Sequence, residues 1–354
     1  MIHKFTNVPV ATYQDHLTYG PVYTNFNDHV QLHHWRSDHP EQVEPVVDTN
    51  NLKVVDQPLC WGGVIHGHFG HMLTEYGSRF VQYRELVKQT GAKICMVVKP
   101  RNKRKVLKEG LLPAPFKDLI KFYGYSAEDI YVVHGENICA SELYSVSEAE
   151  TLNQRHHTDE QYLNLLDQNN PTLETDHGNM YYVSRSKMNI YSGRYSGERY
   201  VEQYLEHHGF KTIHPQLLSY KEQIDLYNNA NKLIFCEGSA VFGTLPLGRM
   251  DCDTLIIRRK NFPFRRFGYF QLHGRMNSLN YISLGDGDYM VKPEGHHFED
   301  KTADSCLGVP CTGFIRSLNQ WLNSVSVDIK SDAYDECSFV NCIENDLDLY
   351  YNNT

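Results

Sequence analysis

The stretch LIFCEGSAVFGTLPLG, residues 233–248, decides the fold. It opens as an apolar run, Leu233 to Cys236, with the composition of a strand buried on both faces. It then breaks at Glu237 into the small residues Gly238, Ser239 and Ala240. A carboxylate is costly to bury without partners. At the end of a parallel strand, by contrast, it is well placed to meet a ligand. Small residues in that position leave room for a phosphate or sugar beside backbone amides and often introduce a helix N-terminus. The stretch has neither the lysine of a P-loop nor the spacing GxGxxG, so neither nucleotide motif applies.

Working outward, the same punctuation recurs. MYYVSRS (180–186) reads as a strand, SGERYVEQYLEHHG as a helix and FKTIHP as a strand; SYKEQIDLYNNA is a helix, KLIFCEG a strand and DTLIIRR another. Upstream, NLKVVDQPLCWGG offers a short strand at about 52–61. Leu73, Tyr76, Phe80, Tyr83 and Val87 predict a helix from His71 to about Lys88, and AKICMVVKP predicts a strand. LPAPFKDLIKFYGYSAEDIYVV then repeats helix and strand. Strands separated by single helices indicate parallel sheets with helical crossovers. The polar stretch at about 145–178 is the natural boundary. It divides the chain into an N-terminal α/β domain (1–160), a second α/β domain (161–300) and a tail (301–354) expected to pack back on the N-terminal domain. Residues 1–50, polar and punctuated by proline, read as loops and small strands.

With 354 residues the chain is long enough for two cores. Its formal charge of -9 gives no general affinity for polyanions, and no nucleic-acid motif surrounds its two basic runs, 99–108 and 258–266. Each run is a solvated loop or a docking point for an anionic ligand or membrane surface. The nine cysteines are scattered without a CxxC pair, as expected of reduced thiols in the cytoplasm. No apolar stretch has the length of a membrane span, and the N-terminus lacks the apolar segment of a signal peptide.

Two clusters carry potential chemistry. In GGVIHGHFGHMLTEYGSRF (62–80), His66 and His68 lie in a glycine-rich loop, and His71 and Glu75 stand four residues apart on one face of the following helix. They can meet one ligand or each other. Metal binding, helix capping and packing, and a catalytic role are all open for these histidines, although HGHFGH is not the zinc motif HExxH. In YYVSRSK (181–187), Arg185 and Lys187 emerge where a strand ends; Arg185 is suited to clamp a phosphate in bidentate fashion, or else the segment is a solvated strand end.

These residues carry a resemblance. YYVSRSK followed by GERYVEQYLEHHGFKTIHPQLLSYKEQIDLYNNANKLIFCEGSA is similar to the core of the family 61 glycosyltransferases, which include bacterial proteins of capsular polysaccharide biosynthesis. Arg185, Glu202, Gly209, Phe210, Glu222, Gln223, Ala230, Gly238, Ser239 and Ala240 fall on the family pattern in order, and His71 and Glu75 take the places of its upstream histidine and acidic residue. The match spans roughly 60–290. Two departures stand out: Glu237 replaces the usual histidine before the GSA turn, and Glu75 replaces the usual aspartate.

The resemblance implies a GT-B-like fold, two Rossmann-like domains facing each other across a cleft. It also implies inverting transfer from a nucleotide-sugar, chiefly UDP-linked, to a glycan or lipid-linked acceptor. On that footing Glu75 and His71 are the candidate base and base partner. Arg185, Lys187, Glu222, Glu237 and the 238–240 turn are the candidate donor site, with Glu237 expected on a sugar, ribose or acceptor hydroxyl because it would repel a diphosphate. No metal is expected to be essential, since a DxD pair in a suitable loop is lacking; DCD (251–253) reads as a turn feeding a strand. A cytoplasmic protein, peripheral at the inner membrane face, is expected. A sugar-phosphate or polyol-phosphate transferase and a non-catalytic carbohydrate-binding or assembly protein are the alternatives.

Overall fold

The computed structural model describes residues 1–15, 18–33, 43–65, 69–98, 114–150, 157–169, 178–259, 269–285, 290–291 and 306–352. His66, His68, the basic run 99–108 and all but Arg258 and Arg259 of the run 258–266 lie outside these residues. The chain forms two compact units, a mixed α/β architecture with parallel sheets of the Rossmann-like kind.

The first unit takes in residues 1–170, with Leu245–Gly248 and the described residues 269–273 added to it. Its strands are β1 (His3–Ala11), β2 (Gly20–Pro21), β3 (Lys53–Val55), β4 (Leu59–Ile65), β5 (Lys93–Val98), β6 (Ile130–Val133) and β7 (Ile138–Ser145). They form one sheet in the order β2-β1-β7-β4-β5-β6, with β3 beside β7. β4 pairs parallel with β5 and β7, and β5 with β6. β1 runs antiparallel to β7 along seven paired residues. Every residue of β4 is buried, as a central parallel strand requires. The expected helix after β4 is there, but in three pieces: an α-helical turn Phe69–His71, a π-helical segment Met72–Tyr76 and the helix Gly77–Thr90. Phe80 of that helix packs against Phe116, Tyr123 and Tyr125.

The second unit holds β8 (Met180–Val183), β9 (Lys211–Ile213), β10 (Lys232–Cys236), β11 (Met250–Arg258) and β12 (Met276–Ser283) in one sheet, ordered β12-β11-β10-β8-β9 and parallel throughout. Numbered within the unit, the order is 2-1-3-4-5. That is a doubly wound order, and its direction reverses between β8 and β10. The helices Glu198–His207 and Tyr220–Asn228 link β8 to β9 and β9 to β10. A core of Tyr182, Val201, Leu205, Ile234, Leu255, Phe314 and Leu318 joins the sheet to the helices Glu198–His207 and Phe314–Ser324. β13 (Met290–Val291) and β14 (Leu307–Gly308) form a small separate ribbon.

The described tail groups with the second unit. Its closing helix, Glu336–Asn352, puts Asp346 against Arg194 (3.4 Å) and the backbone amide of Gly197 (2.9 Å), and the Tyr350 carbonyl accepts from Tyr191. DCD is not a turn but the start of β11, where Asp251 accepts from Asn277 and Asp253 from Ser278 on β12. Both carboxylates therefore sit at the amino ends of the strands, opposite the ends where ligands of such sheets bind.

Candidate functional site

In the first unit, His71 and Glu75 meet as their spacing predicts: His71 Nδ1 and Glu75 Oε1 share a hydrogen bond. The His71 side chain is 33% exposed and that of Glu75 is 4% exposed. The π-helical widening places Glu75 among tyrosines. Burial raises the phenol pKa values of Tyr13, Tyr19 and Tyr76, and the Glu75 charge adds to the rise in each. The irregular turn is held by local bonds. Thr74 Oγ1 donates to the Gly70 carbonyl (2.9 Å), and buried Gln271 donates through Nε2 to the Thr74 carbonyl (3.2 Å). π-helical turns of this kind occur frequently at functional sites. The pairing leaves the exposed imidazole as the member able to exchange a proton with a ligand and the buried carboxylate as its orienting partner.

In the second unit, the sequence-predicted residues Arg185 and Gly238 come together at the carboxyl ends of β8 and β10, where the sheet order reverses. The guanidinium of Arg185 donates through Nε to the Gly193 carbonyl (2.7 Å) and through Nη2 to the Ser192 carbonyl. Nη1 occupies the place where a Cβ at 238 would stand, so a larger residue there would displace the guanidinium from this position. Gly238, Ser239 and Ala240 are partly exposed, and Ser239 opens the 3₁₀ helix Ser239–Leu247. Lys187 is exposed nearby on the chain.

Glu198 anchors this arrangement, and the sequence reading missed it. It is fully buried at the first position of its helix, and its Oε1 accepts from Tyr182 Oη (2.9 Å), Ser184 Oγ (3.1 Å) and the Arg185 backbone amide (2.8 Å). Burial raises its carboxyl pKa, against the lowering effect of those hydrogen bonds and of Arg194. Beside it, Ser186 donates to Glu202 (2.5 Å), which lies 3.8 Å from His214 Nε2. Burial, assisted by Lys187, lowers the His214 pKa.

Two candidate donor residues carry structural hydrogen bonds. Glu237 is buried; its Oε2 accepts from the Arg259 backbone amide (2.9 Å), and its carbonyl accepts from Arg259 Nε (2.9 Å). The carboxylate thereby ties the end of β10 to the end of β11. Glu222 Oε2 accepts from both the amide and the hydroxyl of Ser219 (2.7 Å each), a capping box at the start of the helix Tyr220–Asn228. Those bonds hold its carboxyl pKa below the usual range. Arg259, read only as part of a basic run, is buried, and its guanidinium lies over the Cα of Gly193, the residue whose carbonyl holds Arg185.

An all-parallel, doubly wound sheet with Arg185 packed against Gly238 at its switch point defines a Rossmann-like α/β protein. The family model Glycosyltransferase 61 matches residues 69–257, more than half of the chain and a span that includes both clusters. The chain belongs to the glycosyltransferase 61 family, and the family implies glycosyltransferase activity. No curated protein compared with the chain matches it. Among the described residues no helix is long and apolar enough to cross a membrane.

Proposed function

We propose that this protein is an inverting glycosyltransferase that moves a sugar from a UDP-linked donor to a glycan or lipid-linked acceptor in surface polysaccharide synthesis. The observation that carries this reading is the Arg185 guanidinium against the Gly238 turn at the switch point of a parallel sheet. In this reading the donor diphosphate lies on Arg185, Lys187 and the backbone amides of 238–240. These groups stabilise the charge that grows on the leaving oxygen. The acceptor hydroxyl attacks the anomeric carbon, the bond from that carbon to the diphosphate oxygen breaks, and its electron pair leaves with the nucleotide. The acceptor proton passes to His71, which Glu75 orients and stabilises as the imidazolium.

A GT-B arrangement of the two units belongs to the same reading. So does a cytoplasmic site of action, with peripheral contact at the inner membrane face through the basic, aromatic stretch 258–266. Charge neutralisation by Arg185 and Lys187 makes a metal dispensable. The test is transfer from a panel of nucleotide-sugars to glycan and lipid-linked acceptors, with and without EDTA, and with the anomeric configuration of donor and product compared. Transfer with inversion that survives EDTA is expected. Loss of transfer in EDTA with recovery in Mn²⁺ or Mg²⁺ would overturn the metal-free part. Release of UMP in place of UDP, with the sugar phosphate found on the acceptor, would point to a sugar-phosphate transferase.

A further inference from the structure

The second unit carries another concavity whose lining uses none of the cradle residues. A groove of about 630 Å³ runs beside the helix Phe314–Ser324 and is closed by the chain leading into the helix Glu336–Asn352. This volume lies within the range of roughly 300–1,000 Å³ typical of ligand sites. One face of the first helix supplies Arg316, Asn319, Gln320 and Asn323 to it, and the opposite side supplies Tyr334 and Glu336. The spacing of those four, three or four residues apart, puts them in one row along the helix.

Three features of this lining bear on its ligand. First, it combines two asparagines, a glutamine, an arginine and a carboxylate, planar groups that pair donors and acceptors with neighbouring hydroxyls. Second, it is organised before any ligand arrives. Tyr204 donates its hydroxyl to Asn319 Oδ1 (2.5 Å), which turns the amide nitrogen of Asn319 away from that contact. The ring of Tyr334 is held edge-on against Tyr200 and Tyr204, and the Asp335 amide next to it is bonded to the Tyr200 hydroxyl (2.6 Å). Third, one guanidinium and one carboxylate balance, so the groove has no net charge to attract a phosphate or a polyanion.

We propose that this groove is a second carbohydrate site, which binds a short neutral oligosaccharide with one ring on Tyr334 and its hydroxyls on the Asn319, Gln320 and Asn323 amides. Aromatic rings offer an apolar face to the C–H side of a pyranose while the amides read its hydroxyl edge. Ordering of Asn319 and Tyr334 in advance lowers the entropy lost on binding. A site of this kind holds a growing or acceptor glycan near the enzyme without taking part in transfer, and it does not depend on the reaction proposed above.

The experiment uses the full chain and a panel of neutral hexasaccharides of glucose, xylose, galactose and mannose. Binding is read by saturation-transfer NMR and titration calorimetry, beside UDP binding and the melting temperature. At least one hexasaccharide is expected to bind. Tyr334→Ala and the exposed pair Gln320→Ala with Asn323→Ala are expected to weaken it by about ten-fold or more, with UDP binding unchanged. The pair guards against the case in which Tyr334→Ala loosens its packing on Tyr200 and Phe339. Absence of binding by every hexasaccharide would overturn the proposal, as would equal affinity in wild type and the exposed pair. An Arg185→Ala variant that loses UDP but keeps the hexasaccharide separates this site from the donor cradle.

Discussion

Glu75 and Glu237 invite comparison. Each follows a buried parallel strand of its own unit, and each is 3% exposed as a residue. Their partners differ in kind. Glu75 meets the imidazole of His71, a group that can gain or lose a proton and is itself partly exposed. Glu237 meets the backbone amide of Arg259, which cannot change its charge. A titratable, accessible partner can exchange a proton with its surroundings, whereas a backbone amide only holds the carboxylate in place. What distinguishes the two is the nature of the partner, since burial is the same.

The largest effect that can break this contrast is on turnover. His71→Ala should lower transfer by roughly 10²- to 10⁴-fold while donor affinity and melting temperature stay near wild type. Glu75→Gln should be milder, because the glutamine can still orient the ring but no longer stabilises its charge. Turnover, donor affinity and melting temperature of both variants decide it. If both keep more than half of wild-type turnover, the pair is not catalytic. A joint fall in stability and activity would make it core packing.

A smaller effect, on stability, probes Glu237. Glu237→Ala strips the Arg259 amide of its acceptor inside the protein, which should cost about 1–3 kcal/mol, and Glu237→Gln should recover most of it. Denaturant unfolding of the three proteins measures this. Unchanged stability in Glu237→Ala together with weakened sugar binding would return Glu237 to the ligand.

The smallest effect concerns pH. Burial lowers the His214 pKa below its ordinary value of 6.5, so the unfolded chain binds a proton there more readily than the folded one. Its contribution to stability is present above pH 6.5 and is lost as pH falls towards the depressed folded pKa. His214→Gln should flatten the stability profile over that acid range and leave neutral stability near wild type. An unchanged slope would mean that His214 titrates equally in both states.

Much of this was legible where the chemistry is local. MYYV, KLIFC and DTLIIR announced parallel strands because continuous β-branched and aromatic runs fit a sheet covered on both faces. The spacing of His71 and Glu75 gave their contact. What escaped depends on distant partners. β1 was legible only as part of a stretch of loops and small strands, because its buried positions cluster at its end and its pairing with β7 spans 128–142 residues. The π-helical widening at Met72–Tyr76 leaves no mark in apolar periodicity. Glu237 looked ready for a ligand because its acceptor role towards Arg259 is set by the register of β10 and β11, 22 residues apart in sequence. Glu198 was passed over because a glutamate at a helix start is ordinary, and only burial reveals that it holds the end of β8.

The central claim is that the strand-end cradle of Arg185 and Gly238 holds the donor diphosphate. Titration calorimetry of UDP into the wild type, Arg185→Ala and Arg185→Lys tests it most directly. Wild type should bind. Arg185→Ala should weaken binding by roughly ten-fold to over a hundred-fold, for loss of a charged contact of about 1.5–3 kcal/mol. Arg185→Lys should recover only part of that, because lysine keeps the charge without the fork that grips the Ser192 and Gly193 carbonyls. Melting temperatures measured alongside separate lost binding from a loosened 189–193 loop. Equal UDP affinity in all three folded proteins would contradict the claim and move the donor away from the switch point.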